Sequence, residues 1–408
     1  MTSALLSPDL PVLHVPNPRA DPALPYGERQ RQVLAPAACA EARREILTWP
    51  GYALTPLHEL PALAAAAGLG RLWYKDEDAR FGLHSFKALG GAYAVSRVLL
   101  TAIARETGVR ATTADLLAGR YRGLTDNITV TCATDGNHGR SVAWGAQQFG
   151  CRCVIYIHAT VSEGRKRAIE RFGAEVVRTA GHYDDSIREA ARDAAEHDRI
   201  VVSDTSYPGY MDIPRYVMQG YTVLADEAIG QLPERPSHVF LQGGVGGFAA
   251  AVIARFWEHH GSERPRMVVV EPDRAACILA SIRAGEPTPV EGDLDTVMAG
   301  LACGEVSLLA WEILAEGVDD VLAVSDEAAI EAMRLLADGA AGDPPLVAGE
   351  SAVTGLVGAL LARRDPDLAA ALELDGNSRV LVIGTEGATD PEVYRQLVGR
   401  PAEEVTTA

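Results

Sequence analysis

The chain has 408 residues, 48% hydrophobic and 23% charged, an ordinary globular composition. That length exceeds what one core usually serves, so two closely packed domains are expected. A formal net charge of −18 argues against general affinity for nucleic acid or an anionic membrane, and six cysteines in so long a chain do not make a disulfide framework.

The N-terminal stretch is interrupted by Pro8, Pro11, Pro16, Pro18 and Pro22 and lacks a basic segment followed by an apolar run, so it does not read as a secretory signal. No apolar stretch approaches the roughly 20 residues that span a bilayer. A cytoplasmic location is expected. The first motif follows: Lys75-Asp76-Glu77, then Gly82-Leu83-His84-Ser85-Phe86-Lys87 and Gly90-Gly91-Ala92. It sets Lys87 just before a helix start of small residues, where partial desolvation lowers a lysine's pKa and lets it form a Schiff base with an aldehyde. Taken alone, a lysine flanked by glycines is more often a surface residue.

From about residue 127, short β-branched runs alternate with amphipathic stretches. The spacing predicts strands at 128–133, 153–158, 175–179 and 200–203, with helices near 138–149, 163–172 and 183–196. Thr134-Asp135-Gly136-Asn137-His138-Gly139 occupies the first of these strand-to-helix turns, where backbone N–H groups suit a carboxylate; a plain turn is the alternative. Cys151 and Cys153 flank a strand start with no second pair to complete a zinc site, and Asp204 ends the fourth strand. A second series follows, with strands at 239–242, 267–270, 321–325 and 380–383 and helices from about Gly246, Asp326 and Glu350. Gln242-Gly243-Gly244-Val245-Gly246-Gly247 comes directly after a strand and opens a helix, where glycines let N–H groups close around a phosphate. It also partly fits the dinucleotide pattern, for which Glu271 is the nearest acidic ribose partner. His259 and His260 read as a solvated helix end, and Cys277 and Cys303 pair only if their loops meet. No residue is assigned to a metal. Two such series imply an α/β fold of two open parallel sheets covered on both faces, with ligands in a cleft where strand ends face helix starts.

Ser85-Phe86-Lys87, Gly136-Asn137-His138 and the glycine turn, in this order, resemble the fold-type II pyridoxal-phosphate enzymes of the tryptophan synthase β superfamily. The resemblance implies that Lys87 carries the cofactor, that Gly243, Gly244, Val245, Gly246 and Gly247 hold its phosphate, and that Asn137 bonds its phenolic oxygen. It implies that Thr385, after the strand at 380–383, meets the pyridine nitrogen; a neutral partner there favours elimination over transamination. It implies a large cofactor-binding domain at 1–90 and 227–408, a smaller inserted α/β domain at 91–226, and a homodimer. The similarity is closest to the diaminopropionate ammonia-lyases and runs through 74–93, 133–144, 204–221, 242–247, 270–276, 298–304 and 384–391.

That family eliminates ammonia from 2,3-diaminopropionate to give pyruvate. Asp135 stands where hydroxy amino acid dehydratases of this fold usually have a small residue, and Asp135 and Asp204 together would attract a cationic β-amine. Each aspartate taken singly reads equally well as a helix cap. The implied roles give Lys87 the Cα proton of the L-isomer, Asp135 that of the D-isomer, and Asp204 the β-amine, with Thr134 and His138 also binding substrate. Two departures leave substrate preference open: His84-Ser85 where the family has Asn-Ala, and Ala388 for a more usual polar residue. Glu350 is either a site residue or a charge at a helix N-terminus. The alternatives are a serine or threonine dehydratase or β-replacing lyase on the same fold, a non-catalytic binder of pyridoxal phosphate or amino acids, and a dinucleotide oxidoreductase.

Overall fold

The computed structural model describes residues 5–134, 136–181 and 183–405. The chain forms two compact units, the larger from Met1–Ala35, Leu54–Ser85 and Leu224–Ala408, the smaller from Pro36–Ala53 and Phe86–Val223. The helix Pro36–Ile46 lies in the smaller unit.

The strands in chain order are β1 (Val12–Pro16), β2 (Leu57–Glu59) and β3 (Arg71–Asp76); then β4 (Thr129–Ala133), β5 (Arg152–Ile157), β6 (Glu175–Arg178) and β7 (Ile200–Val201); then β8 (His238–Gln242), β9 (Arg266–Pro272), β10 (Asp320–Val324) and β11 (Arg379–Gly384). The larger unit holds a seven-stranded sheet in the order β1-β10-β9-β8-β11-β3-β2. Its five inner strands pair in parallel. All of β8 and β10 is buried, the continuous apolar run expected of parallel strands covered on both faces. The two edges are antiparallel, which the alternating series did not reveal. Both are blunted: β1 is largely solvent-facing and ends in Pro16, and β2 is three residues long.

The smaller unit holds a four-stranded, all-parallel sheet in the order β6-β5-β4-β7. Each sheet reverses its direction of growth at its last strand. In the larger unit β8, β9 and β10 are laid down one way, and β11 then returns to the other side of β8. In the smaller unit β4, β5 and β6 run one way, and β7 returns to the other side of β4. Connections leave such a reversal on opposite faces and open a crevice at the carboxyl ends of the two strands, which is where open α/β sheets bind ligands. The crevice positions are therefore the residues after β8 and β11 in one unit and after β4 and β7 in the other. Among the described residues no helix is long and apolar enough to cross a membrane.

Candidate active site

In the smaller unit, Lys87 is the first residue of the helix Lys87–Thr107. The start of that helix sits against its neighbours at glycine contacts. A Cβ at Gly91 would lie 2.2 Å from Ser141 Oγ, one at Gly90 2.4 Å from the Tyr221 ring, and one at Gly220 2.1 Å from the Leu89 carbonyl. Ser141 Oγ donates to the Lys87 carbonyl at 2.6 Å, which fixes the backbone from which the lysine side chain projects. Lys87 Nζ lies over the rings of Phe86 and Tyr221, 5.6 and 5.8 Å from their centroids, and donates to Asp204 Oδ2 at 2.6 Å.

Asp204 follows β7, and the turn 134–139 follows β4, so both stand at the switch point of the smaller sheet. Burial works to raise the Asp204 pKa, but the positive charges of Lys87 and His138 outweigh it and hold the carboxyl well below the usual carboxylate range. His138 Nε2 lies 2.8 Å from the Val202 carbonyl, which can only accept, so Nε2 carries a proton. Its Nδ1 side then faces Asp204 Oδ2 at 3.8 Å. The Thr134 hydroxyl accepts from the N–H groups of Gly136 and Gly139 at 3.0 and 3.1 Å and so orders the turn itself. Asn137 opens the helix Asn137–Phe149, and its Oδ1 accepts from Arg140 Nη2 at 2.6 Å. Asp135, expected at this turn, lies outside the described residues.

In the larger unit, Gly243 follows β8 and Thr385 follows the neighbouring β11, so both leave the same end of adjacent parallel strands. The glycine turn needs its glycines for distinct reasons. Gly244 and Gly246 have φ of +63° and +88°, which side chains rarely adopt, and a Cβ at Gly243 would lie 2.3 Å from Glu271 Cγ. The turn opens the helix Gly247–His260, whose first-turn N–H groups precede any helical acceptor and carry the positive end of the helix dipole. Such a turn suits a phosphate, and the buried hydroxyl of Thr385, after the neighbouring strand, suits a ring nitrogen. The residues therefore fit pyridoxal phosphate.

Glu271 does not serve as a ribose partner. Its carboxyl accepts from the N–H groups of Ile278 and Leu279 at 3.0 and 2.8 Å, holding the helix Cys277–Ala284 behind the glycine turn. Burial pushes it up to about 8. Cys277 and Cys303 are not joined in a disulfide, and Cys277 Sγ lies 3.5 Å from the Gly244 carbonyl. His84 has φ +56° and its Nδ1 pairs with Asp78 at 2.8 Å. Glu350 is buried but does not start a helix, since the nearest one begins at Thr354.

Pattern reasoning missed a buried ionic cluster in this unit. Lys75 Nζ donates to Glu227 at 2.9 Å, to the Thr55 carbonyl at 2.8 Å and to Gln231 at 2.8 Å. Arg80 bonds Glu77 at 2.8 Å and Glu227 at 2.6 and 2.9 Å. The cluster braces the chain just before Phe81, Gly82 and His84, all with positive φ. Lys75 and Glu77 were visible as a motif; Arg80 and Glu227, 147 residues apart, carried no signal.

The lysine at a helix start and the phosphate cradle at a sheet reversal define a pyridoxal-phosphate enzyme of fold type II, and the family model described as "Pyridoxal-phosphate dependent enzyme" matches residues 48–386. The diaminopropionate ammonia-lyase of Salmonella typhimurium is 41% identical over 86% of this chain and 90% of its own length. The crystal structure of holo diaminopropionate ammonia lyase from Escherichia coli superposes with a TM-score of 0.86 at 34% identity, covering 95% of this chain and 97% of that one. The structure of that enzyme in complex with D-serine gives the same TM-score at 35% identity, with the same coverage. This chain belongs to the diaminopropionate ammonia-lyase family, and its cofactor is pyridoxal phosphate.

Proposed function

We propose that the chain eliminates both amino groups of D- and L-2,3-diaminopropionate, which with one water gives pyruvate and two ammonia. The observation that carries the reading is the placement of the Asp204 carboxylate just beyond β7, 2.6 Å from Lys87 Nζ and 3.8 Å from His138 Nδ1. A β-nitrogen leaves as neutral ammonia only if it is protonated as it goes, and a persistent carboxylate favours that form. A neutral β-hydroxyl has no such need of a counter-charge.

Lys87 would hold the cofactor through its amino group, the turn 243–247 its phosphate, Asn137 its phenolic oxygen and Thr385 its ring nitrogen. The bound cofactor supplies an electron sink for the pair left at Cα. Lys87 Nζ takes the Cα proton of the L-isomer. Asp135 takes it from the opposite face of the D-isomer. Asp204 holds the β-ammonium, and Thr134 and His138 line the place of the substrate. The enzyme works as a homodimer in the cytoplasm, a reading supported by the family resemblance and checked by light scattering on the purified holoenzyme.

The test is pyruvate and ammonia release from D- and L-diaminopropionate, with serine and threonine alongside. Turnover of both diaminopropionate isomers well above the hydroxy amino acids is expected, and Asp135→Asn should cripple the D-isomer preferentially. Preference for serine or threonine would overturn the roles given to both aspartates. Cofactor binding without turnover of any of them would make the chain a binder and not an enzyme.

A further inference from the structure

Asp204 lies in a loop with little regular structure, yet the loop is pinned at named atoms. Tyr207-Pro208-Gly209-Tyr210 forms a tight turn, with Tyr210 N–H donating to the Tyr207 carbonyl at 2.9 Å and Gly209 at φ +86°. Proline then glycine at the central positions is the signature of a type II turn. The turn sends the Tyr210 side chain back to the end of β7. Its hydroxyl donates to the Val201 carbonyl at 2.8 Å and accepts from the Ser203 N–H at 2.9 Å. The two bonded residues flank Val202, whose own carbonyl meets His138 Nε2. Ser203 Oγ in turn accepts from the Thr205 N–H at 3.2 Å, so the backbone is tied on both sides of Asp204. The Tyr207 ring stacks on Tyr210, with centroids 5.0 Å apart and planes 17° apart. Burial raises the Tyr210 pKa, so the hydroxyl keeps its proton and its donor role at any working pH.

We infer that Tyr210 is a positioning residue that sets where the Asp204 carboxylate stands and thereby favours a cationic over a neutral β-substituent. The inference rests on the proposed role of Asp204. Its physical content is a distinction between substrates. An ammonium draws its hold from a carboxylate at close range, whereas a hydroxyl loses little when the carboxylate shifts by a fraction of an ångström. A tyrosine that merely stabilised the fold would affect both substrates alike.

The experiment compares wild-type holoenzyme with Tyr210→Phe, measuring kcat and KM for diaminopropionate and D-serine together with the visible absorbance of bound cofactor. Tyr210→Phe should raise KM for diaminopropionate about 10-fold, the scale of a weakened charge-assisted hydrogen bond. KM for D-serine should move less than about 2-fold by the same reasoning, and the cofactor band should persist. Equal losses on both substrates, or no change on either, would overturn the inference. If wild type itself fails to turn over diaminopropionate, the proposed function has failed and not the positioning role. Should Tyr210→Phe not fold, Gly209→Ala keeps the hydroxyl but strains the turn. It should show the same selectivity at about 3-fold, and no selectivity there would equally sink the idea.

Discussion

Removing Glu227 should be among the most destabilising single changes in this protein. The side chains of Lys75, Glu77, Arg80 and Glu227 are each at most 1% exposed, and two cations face two anions, so the cluster is neutral. Glu227→Ala leaves Lys75 and Arg80 sharing Glu77 alone, a net positive charge in the interior, and deletes the bonds from Lys75 Nζ and from both Arg80 terminal nitrogens. Breaking a buried pair by removing one partner costs roughly 3–5 kcal/mol. In a unit of about 250 residues that corresponds to a fall in Tm of about 6–20 °C, at roughly 2–4 °C per kcal/mol. Burial lowers the Lys75 pKa despite Glu77 and Glu227 beside it, so losing Glu227 lowers it further. Thermal melts of the holoenzyme at neutral pH measure the effect. The double variant Lys75→Met/Glu227→Gln removes one charge of each sign and leaves the Arg80–Glu77 pair, so it should lose less than the two single changes added together. A Tm fall of under about 2 °C for Glu227→Ala, or strict additivity in the double, would refute the view that the four side chains act as one unit.

Three further outcomes follow from the same geometry. Glu271 binds its proton more tightly in the folded chain than in the unfolded one, so its contribution to stability is full below its unfolded pKa near about 4.3 and is lost as pH rises through about 8. Wild-type Tm should therefore decline from weakly acidic to weakly alkaline pH relative to Glu271→Gln, and parallel melting curves would contradict this. Gly246→Ala forces a side chain onto φ +88° and to within 2.7 Å of Leu314 Cδ1, which should weaken cofactor affinity on the order of 10-fold or more by absorbance titration. Gly91→Ala drives a methyl against Ser141 Oγ and disturbs the bond to the Lys87 carbonyl, so kcat should fall; an unchanged kcat would show that Ser141 does not hold the lysine.

Much of this was legible because burial on both faces leaves a plain mark. β5, β8, β9, β10 and β11 are nearly continuous apolar runs, and their spans match the pattern to within two residues at either end. β3 was missed for a physical reason: Lys75 and Asp76 interrupt its apolar run, and partners distant in sequence, Glu227 above all with Thr55 and Gln231, make a buried lysine tolerable there. The helix start expected at Glu350 comes at Thr354, since the residues between form a turn, with Ser351 N–H bonded to Glu386. Lys87 and the glycine turn each had a commoner reading when taken alone, and stood out only because three motifs came in one order along the chain. Tyr210 did not stand out, although Pro208-Gly209 announced the turn that delivers it.

Strand order explains the remaining difference between what pattern reasoning reached and what it did not. Alternation tells where each strand ends, and so brought Thr134, Asp204, Gly243 and Thr385 into view as separate strand-end residues. It does not tell which ends lie side by side. That depends on β7 returning to β4 and β11 returning to β8, and both returns are settled by contacts between segments tens to hundreds of residues apart. Once those returns are known, the four residues fall into two pairs of neighbouring strand ends, and the Lys87–Asp204 contact at 2.6 Å needs in addition the helix 87–107 held against Ser141. A variant that changes only a strand-end side chain should therefore alter chemistry, whereas one that weakens the β4–β7 pairing should separate Asp204 from the turn after β4 and loosen its contact with Lys87.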